Sequence, residues 1–182
     1  MSLQHTTGGY ALGPDEGEML WFNGGLGILK ATADQTDGRY TAYEIWIPKG
    51  FAAPLHVHEN EDEFFVVLSG EVRLQHGDVV VEGVAGSFAY TPRGVGHSFY
   101  ADSEEARLLL FFGPAGVEGF FREAGTPARS LGLPPVDEPV PDRETLTRIM
   151  SRFGQTVLGP PLPPKDSEPV NADARATREA KR

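Results

Sequence analysis

No cysteine occurs among the 182 residues. That excludes disulfides, thiolate metal ligands and a cysteine nucleophile. Long apolar runs are missing too: no stretch approaches the roughly 18 residues a membrane helix needs. No basic segment followed by an apolar core opens the chain, so a secretion signal is not expected and a cytoplasmic location is. Positive charge is in deficit, with 16 Lys and Arg against 26 Asp and Glu and a net charge of −10. From Gly159 onward five basic residues meet four acidic ones, so the negative excess lies before that point. Such a surface repels phosphate backbones and anionic headgroups, and neither nucleic acid nor membrane is expected as a partner.

What is abundant is punctuation. The 22 glycines and 15 prolines, with 40% apolar residues, favour many short strands and turns over long helices. Strand candidates run Met19–Asn23, Gly27–Ala31, Tyr40–Pro48, Ala53–His58, Glu63–Ser69, Glu71–His76, Val79–Glu82, Ser87–Thr91, His97–Ala101 and Ala106–Gly113. Turn signals such as Asp37-Gly38, Ser69-Gly70 and His76-Gly77-Asp78 separate them. This density predicts an all-β sandwich or small barrel. Helices are expected at Val117–Ala124 and at Asp142–Phe153, where Leu146, Ile149, Met150 and Phe153 form an apolar stripe and Gly154 is a stop. The organisation expected is an arm over 1–17, a barrel over 18–125, a Pro-rich connection and helix over 126–158, and a disordered tail over 159–182.

One constellation carries chemistry. Gly50, His56, His58, Glu63 and Gly70 follow the spacing G-x5-H-x-H-x4-E-x6-G, and Gly86, Pro92, Gly94 and His97 follow G-x5-P-x-G-x2-H. Residues two apart on a strand share a face, so the His56 and His58 imidazoles point the same way. Glu63 opens a buried-type strand; Asp62 competes as the carboxylate, but Glu63 keeps six residues before Gly70. Imidazole nitrogen and carboxylate oxygen suit a divalent transition metal, whether Ni, Fe, Mn, Co, Cu or Zn. Four protein ligands leave positions free on an octahedral ion, which implies a catalytic site, whereas a closed tetrahedral zinc would be structural. Ligand type alone does not choose between them. Of the other histidines, His76 falls in a hairpin turn and His5 in a polar arm, and both are expected to be solvated. Alternation from Glu63 and His97 sends Phe65, Val67 and Phe99 inward, making Phe65 and Phe99 candidate substrate contacts. Phe64, Phe88, Phe111 and Phe112 are expected to be structural.

The two spaced stretches resemble the two motifs of the cupin superfamily. The first matches at every defined position; the second matches through His97, with Ala101 where an Asn is usual. That resemblance implies a double-sheet jelly roll with the metal at His56, His58, Glu63 and His97. Further stretches, Gly13 to Glu18, Leu20-Trp21-Phe22, Phe120 to Glu123 and Leu158 to Pro161, resemble single-domain cupins grouped with quercetin 2,3-dioxygenases. What this implies is oxidative ring opening of a flavonol-like or polyketide-like aromatic by O2, with loss of carbon monoxide for a flavonol. Glu63 would then be both ligand and catalytic base. An oxygen-independent isomerase or cyclase, and a non-catalytic small-molecule-binding module, are the alternatives. Exposed sheet edges also suit pairing in a homodimer.

Overall fold

The computed structural model describes residues 9–165. Ten strands, close to the bounds expected, carry the barrel: β1 (Glu18–Phe22), β2 (Gly25–Ala31), β3 (Thr41–Pro48), β4 (Leu55–His58), β5 (Asp62–Ser69), β6 (Glu71–His76), β7 (Val79–Val84), β8 (Phe88–Thr91), β9 (His97–Ala101) and β10 (Glu105–Gly113). A short α1 (Ala33–Thr36) interrupts them, and α2 (Glu118–Ala124), β11 (Thr126–Pro127), α3 (Arg143–Arg152) and β12 (Gln155–Gly159) follow. Among the described residues the strands pair antiparallel, in a seven-stranded sheet of order β11-β1-β2-β3-β10-β5-β8 and a five-stranded sheet of order β12-β4-β9-β6-β7. The two sheets make the jelly roll.

Period-two patterning builds the interior. Along β10, Ala106, Leu108, Leu110 and Phe112 are buried while their neighbours are only partly so, and β5 buries Glu63, Phe65 and Val67 in the same rhythm. With Ile45, Ile47, Val72 and Leu74 these side chains form one core between the sheets. Each such large side chain contributes about 1.5–3 kcal/mol by leaving water.

The C-terminal part closes one end of this core. Asp142 caps α3 by accepting the Thr145 N–H at 2.7 Å, and Ile149 and Met150 bury the helix stripe in the barrel core. Gly154, at φ 67°, ends the turn with the Asn60 side chain against its Cα. The chain then adds β12 to β4, a strand the sequence pattern did not predict, as it did not predict α1 or β11. A five-residue segment with one β-branched apolar residue has too little pattern of its own; its partner strand is what makes it extended.

The described parts of both ends lie against the barrel. Tyr10 donates its hydroxyl to the Lys30 carbonyl at 2.6 Å, and the Lys30 ammonium donates to the Pro14 and Glu16 carbonyls, so the described part of the arm lies along β2. The expected disorder does not begin at Gly159. The Leu55 N–H reaches the Pro160 carbonyl at 3.3 Å, Arg73 donates to the Pro163 carbonyl at 2.8 Å, and Lys165 pairs with Glu82 at 2.8 Å. Prolines lack the N–H but keep the carbonyl acceptor, and these carbonyls hold the segment to the barrel. The remainder of that expected tail lies outside the described residues. Among the described residues no helix is long and apolar enough to cross a membrane.

Candidate metal centre

His56 and His58 are the buried positions of β4, while Leu55 and Val57 are only half-buried. His97, first residue of β9, lies directly across the ladder from His56. Glu63 enters from β5 of the facing sheet, and all four side chains are buried. One donor atom from each lies within 4.8 Å of every other. Asp62, the competing carboxylate, points the other way and accepts from the Arg93 backbone N–H and guanidinium at 3.0 Å each. The choice of Glu63 thus follows from strand alternation.

The outer ring nitrogens are all engaged. His56 Nδ1 donates to the Pro54 carbonyl at 2.8 Å, His97 Nδ1 to the Val95 carbonyl at 3.1 Å, and His58 Nδ1 to Glu61 Oε2 at 3.3 Å. Neutral imidazoles assigned this way keep Nε2 free of a proton, with its lone pair aimed inward. There Nε2 of His97 meets Glu63 Oε2 at 2.6 Å, yet neither atom has a partner with hydrogen-bond geometry. His58 Nε2 lies 3.2 Å from His56 Nε2 and 3.6 Å from Glu63 Oε2. Three inward lone pairs and a carboxylate oxygen converging on one point fit a divalent cation, which could be held here.

Electrostatics agree for His56 and Glu63. Burial, then the neighbouring His97 and His58, push His56 down to about 3, so it stays neutral and able to ligate. Burial pushes Glu63 up, but interactions with His97, His58 and His56 together outweigh it and the carboxyl lies below its ordinary range. Burial likewise pushes His97 down, and Glu63 overturns this to leave it raised. The carboxylate therefore stays charged in the interior, where a cation compensates it.

The centre sits in the wall of a cavity of about 710 Å³, open mouth included, with Phe99 and Phe112 among its lining side chains. Its far wall comes from α2 and α3 through Phe120, Phe121, Leu146 and Met150. Phe99 is where alternation placed it. Phe65 points inward as read, but the cavity does not reach it: its ring lies edge-on to His97 at 6.0 Å and to Phe99 at 6.1 Å, backing the histidines. Phe112, expected to be structural, instead lines the cavity with its ring 5.6 Å from His58. It shares the inward face with Leu108 and Leu110, a rhythm visible in the sequence. Phe64 and Phe88 are outer-face residues, Phe64 stacking on Tyr90 at 4.8 Å.

Three further residues escaped the sequence reading. Glu61, within a stretch read as a polar turn, is buried behind His58. Gln155 lines the cavity from β12. His76 is not freely solvated: it is half-buried at the end of β6, with Nδ1 2.6 Å from Thr91 Oγ1. Its register explains this, because it faces His97 across the β6–β9 ladder.

A cupin-domain family model matches residues 43–112, the span that contains all four donors. The match identifies residues 43–112 as a cupin domain. The chain is 28% identical over 126 residues to a quercetin 2,3-dioxygenase of Bacillus subtilis, covering 69% of this chain and 37% of that protein. It is 37% identical over 54 residues to an uncharacterized protein of Streptomyces coelicolor, covering 30% of this chain and 51% of the relative. The matched region thus spans about half or less of each of these relatives. Among solved structures, an RmlC-like cupin from Shewanella frigidimarina superposes with a TM-score of 0.51 at 20% identity, over 59% of this chain and 92% of that one, and shares the fold.

Proposed function

We propose that this cupin is a metal-dependent dioxygenase that opens a flavonol-like or polyketide-like aromatic ring with O2. The observation that carries the reading is the convergence of four buried donor residues, three of which (His56, His58 and Glu63) line a largely apolar cavity. Similarity to the Bacillus subtilis quercetin 2,3-dioxygenase supports the aromatic substrate class. A divalent metal held by His56, His58, Glu63 and His97 would supply Lewis acidity and a template for substrate and dioxygen.

The chain's own residues do the rest. Phe99 and Phe112 present apolar walls to a flat ring and keep water from the reacting carbons. Glu63 Oε2, buried and without a hydrogen-bond partner, accepts the proton of an entering enolic hydroxyl. Glu61 and the Pro54 and Val95 carbonyls keep the three imidazoles in one orientation throughout.

The test is oxygen uptake with quercetin after loading Ni, Co, Mn, Fe, Cu or Zn. Uptake with loss of the flavonol absorption is expected with at least one of them. No uptake and no spectral change with any metal overturns the flavonol reading. Conversion without oxygen favours an isomerase or cyclase, and binding without conversion a ligand-binding module.

A further inference from the structure

Five buried side-chain atoms lack a hydrogen-bond partner among the described residues: Tyr43 Oη, Glu63 Oε2, His76 Nε2, His97 Nε2 and Gln155 Nε2. Glu63 and His97 belong to the metal centre. His76 lies outside the cavity lining, with its other nitrogen on Thr91. Tyr43 is held by packing, its ring stacked on Phe121 at 4.0 Å and its hydroxyl filling the space where a Cβ on Gly27 would be.

Gln155 is different. It is 2% exposed, it lines the cavity, and it sits directly across the β4–β12 ladder from His58. Directly opposed residues of an antiparallel pair project to the same face with Cβ atoms about 4.5–5.5 Å apart. The amide therefore stands beside the imidazole whose Nε2 enters the metal centre. A buried amide nitrogen with no partner destabilises a fold, and packing alone is better served there by an apolar side chain.

We propose that Gln155 determines specificity by donating its amide N–H to an acceptor oxygen adjacent to the ligand oxygen bound at the His/Glu centre. The geometry selects a class within the aromatic substrates. The ligand carries two neighbouring oxygens on an unsaturated ring, one ionisable hydroxyl for the centre and one carbonyl for Gln155, as in a vicinal hydroxy-ketone. An aromatic with a lone hydroxyl gives the amide nothing to bind and leaves the buried N–H unpaired, the arrangement that discriminates most strongly between analogues. This inference rests on the proposed function, because it takes the His/Glu centre as the ligand's first anchor.

The test uses the full chain loaded with zinc, a redox-inert metal, so that binding is read without turnover. Fluorescence titrations compare 3-hydroxyflavone, which has adjacent hydroxyl and carbonyl oxygens, with 2-naphthol, which has one hydroxyl. Gln155→Met keeps the side chain's length and removes the donor. The expected result is about a tenfold weaker Kd for 3-hydroxyflavone, an unchanged Kd for 2-naphthol, unchanged zinc content, and a Tm equal to or above wild type. Gln155→Glu, which exchanges the donor for an acceptor at constant shape, weakens 3-hydroxyflavone at least as much. An unchanged Kd for 3-hydroxyflavone in Gln155→Met overturns the inference, as does an equal loss for both probes or a lowered Tm. Wild type binding neither probe overturns the proposed function as well, so the two failures are distinct.

Discussion

His56 and His97 face each other across the β4–β9 ladder with ring centroids 4.4 Å apart. That rung joins the two halves of the motif, and the centre needs both strands in register. Removing either imbalances the site at once. His56→Ala or His97→Ala is expected to abolish tight metal retention, beyond the roughly 10–100-fold that loss of an outer partner costs. Elemental analysis of purified protein checks this. Equal occupancy in wild type and the His56/His58 double variant would refute the ligand assignment.

Glu63 is assigned two roles, ligand and proton acceptor. Glu63→Gln keeps an oxygen at the same place but cannot hold a proton. Turnover should fall about 10²–10⁴-fold, with a smaller loss in metal content. Parallel losses of the two would reduce Glu63 to a ligand only.

Glu61 acts through His58. Its carboxylate accepts from Nδ1 at 3.3 Å inside the fold, setting the tautomer and ring orientation. Glu61→Ala is expected to weaken metal binding by about 10–100-fold, measured by competition with a chelator. Unchanged affinity would leave Glu61 without a role at the centre.

Glu118 gives the acid limb of stability. It accepts the Ala33 N–H at 2.7 Å, the Thr41 hydroxyl at 2.5 Å and the Gly116 N–H at 2.9 Å, tying α1, β3 and the approach to α2 together. Burial raises its carboxyl, but these hydrogen bonds outweigh burial and hold it below the ordinary value of 4.5. A depressed folded pKa means the contribution is complete above that value and is lost as pH falls through the folded one. Glu118→Gln should therefore cost about 1–3 kcal/mol at pH 7, and denaturant titrations should show the gap to wild type narrowing in acid. A constant gap down to acid pH would sink the assignment.

Gly27 is needed for space, since its φ is ordinary and the Tyr43 hydroxyl occupies the position of any Cβ. Gly27→Ala should overpack the core by about 1–3 kcal/mol and disturb the Tyr43–Phe121 stack at the cavity wall. Thermal unfolding reads the first effect. An unaltered Tm would mean the barrel yields there without strain.

The legible part of this protein is the part governed by period two. Strands such as β5 and β9 carry their own alternation, so Glu63, Phe65, Phe99 and the histidine faces could be assigned one residue at a time. Phe112 was equally legible in the β10 rhythm, but its aromatic neighbour Phe111 disguised which of the two faced in. Glu61, Gln155 and His76 were not legible. Each owes its burial to a partner distant in the chain or to a turn, and no local pattern marks it.

By itself the sequence picked out the four candidate donors and the strands that carry them, because both depend on spacing along one chain direction. It also excluded thiolate chemistry through the absence of cysteine. Only the tertiary structure decided what surrounds the centre. Cavity walls come from β3, β10, α2, α3 and β12, which meet only after the sheets close over one another. Depth within that closed space, which put Phe99 at the cavity and Phe65 behind the histidines, is a property of packing in three dimensions that alternation along a strand does not encode.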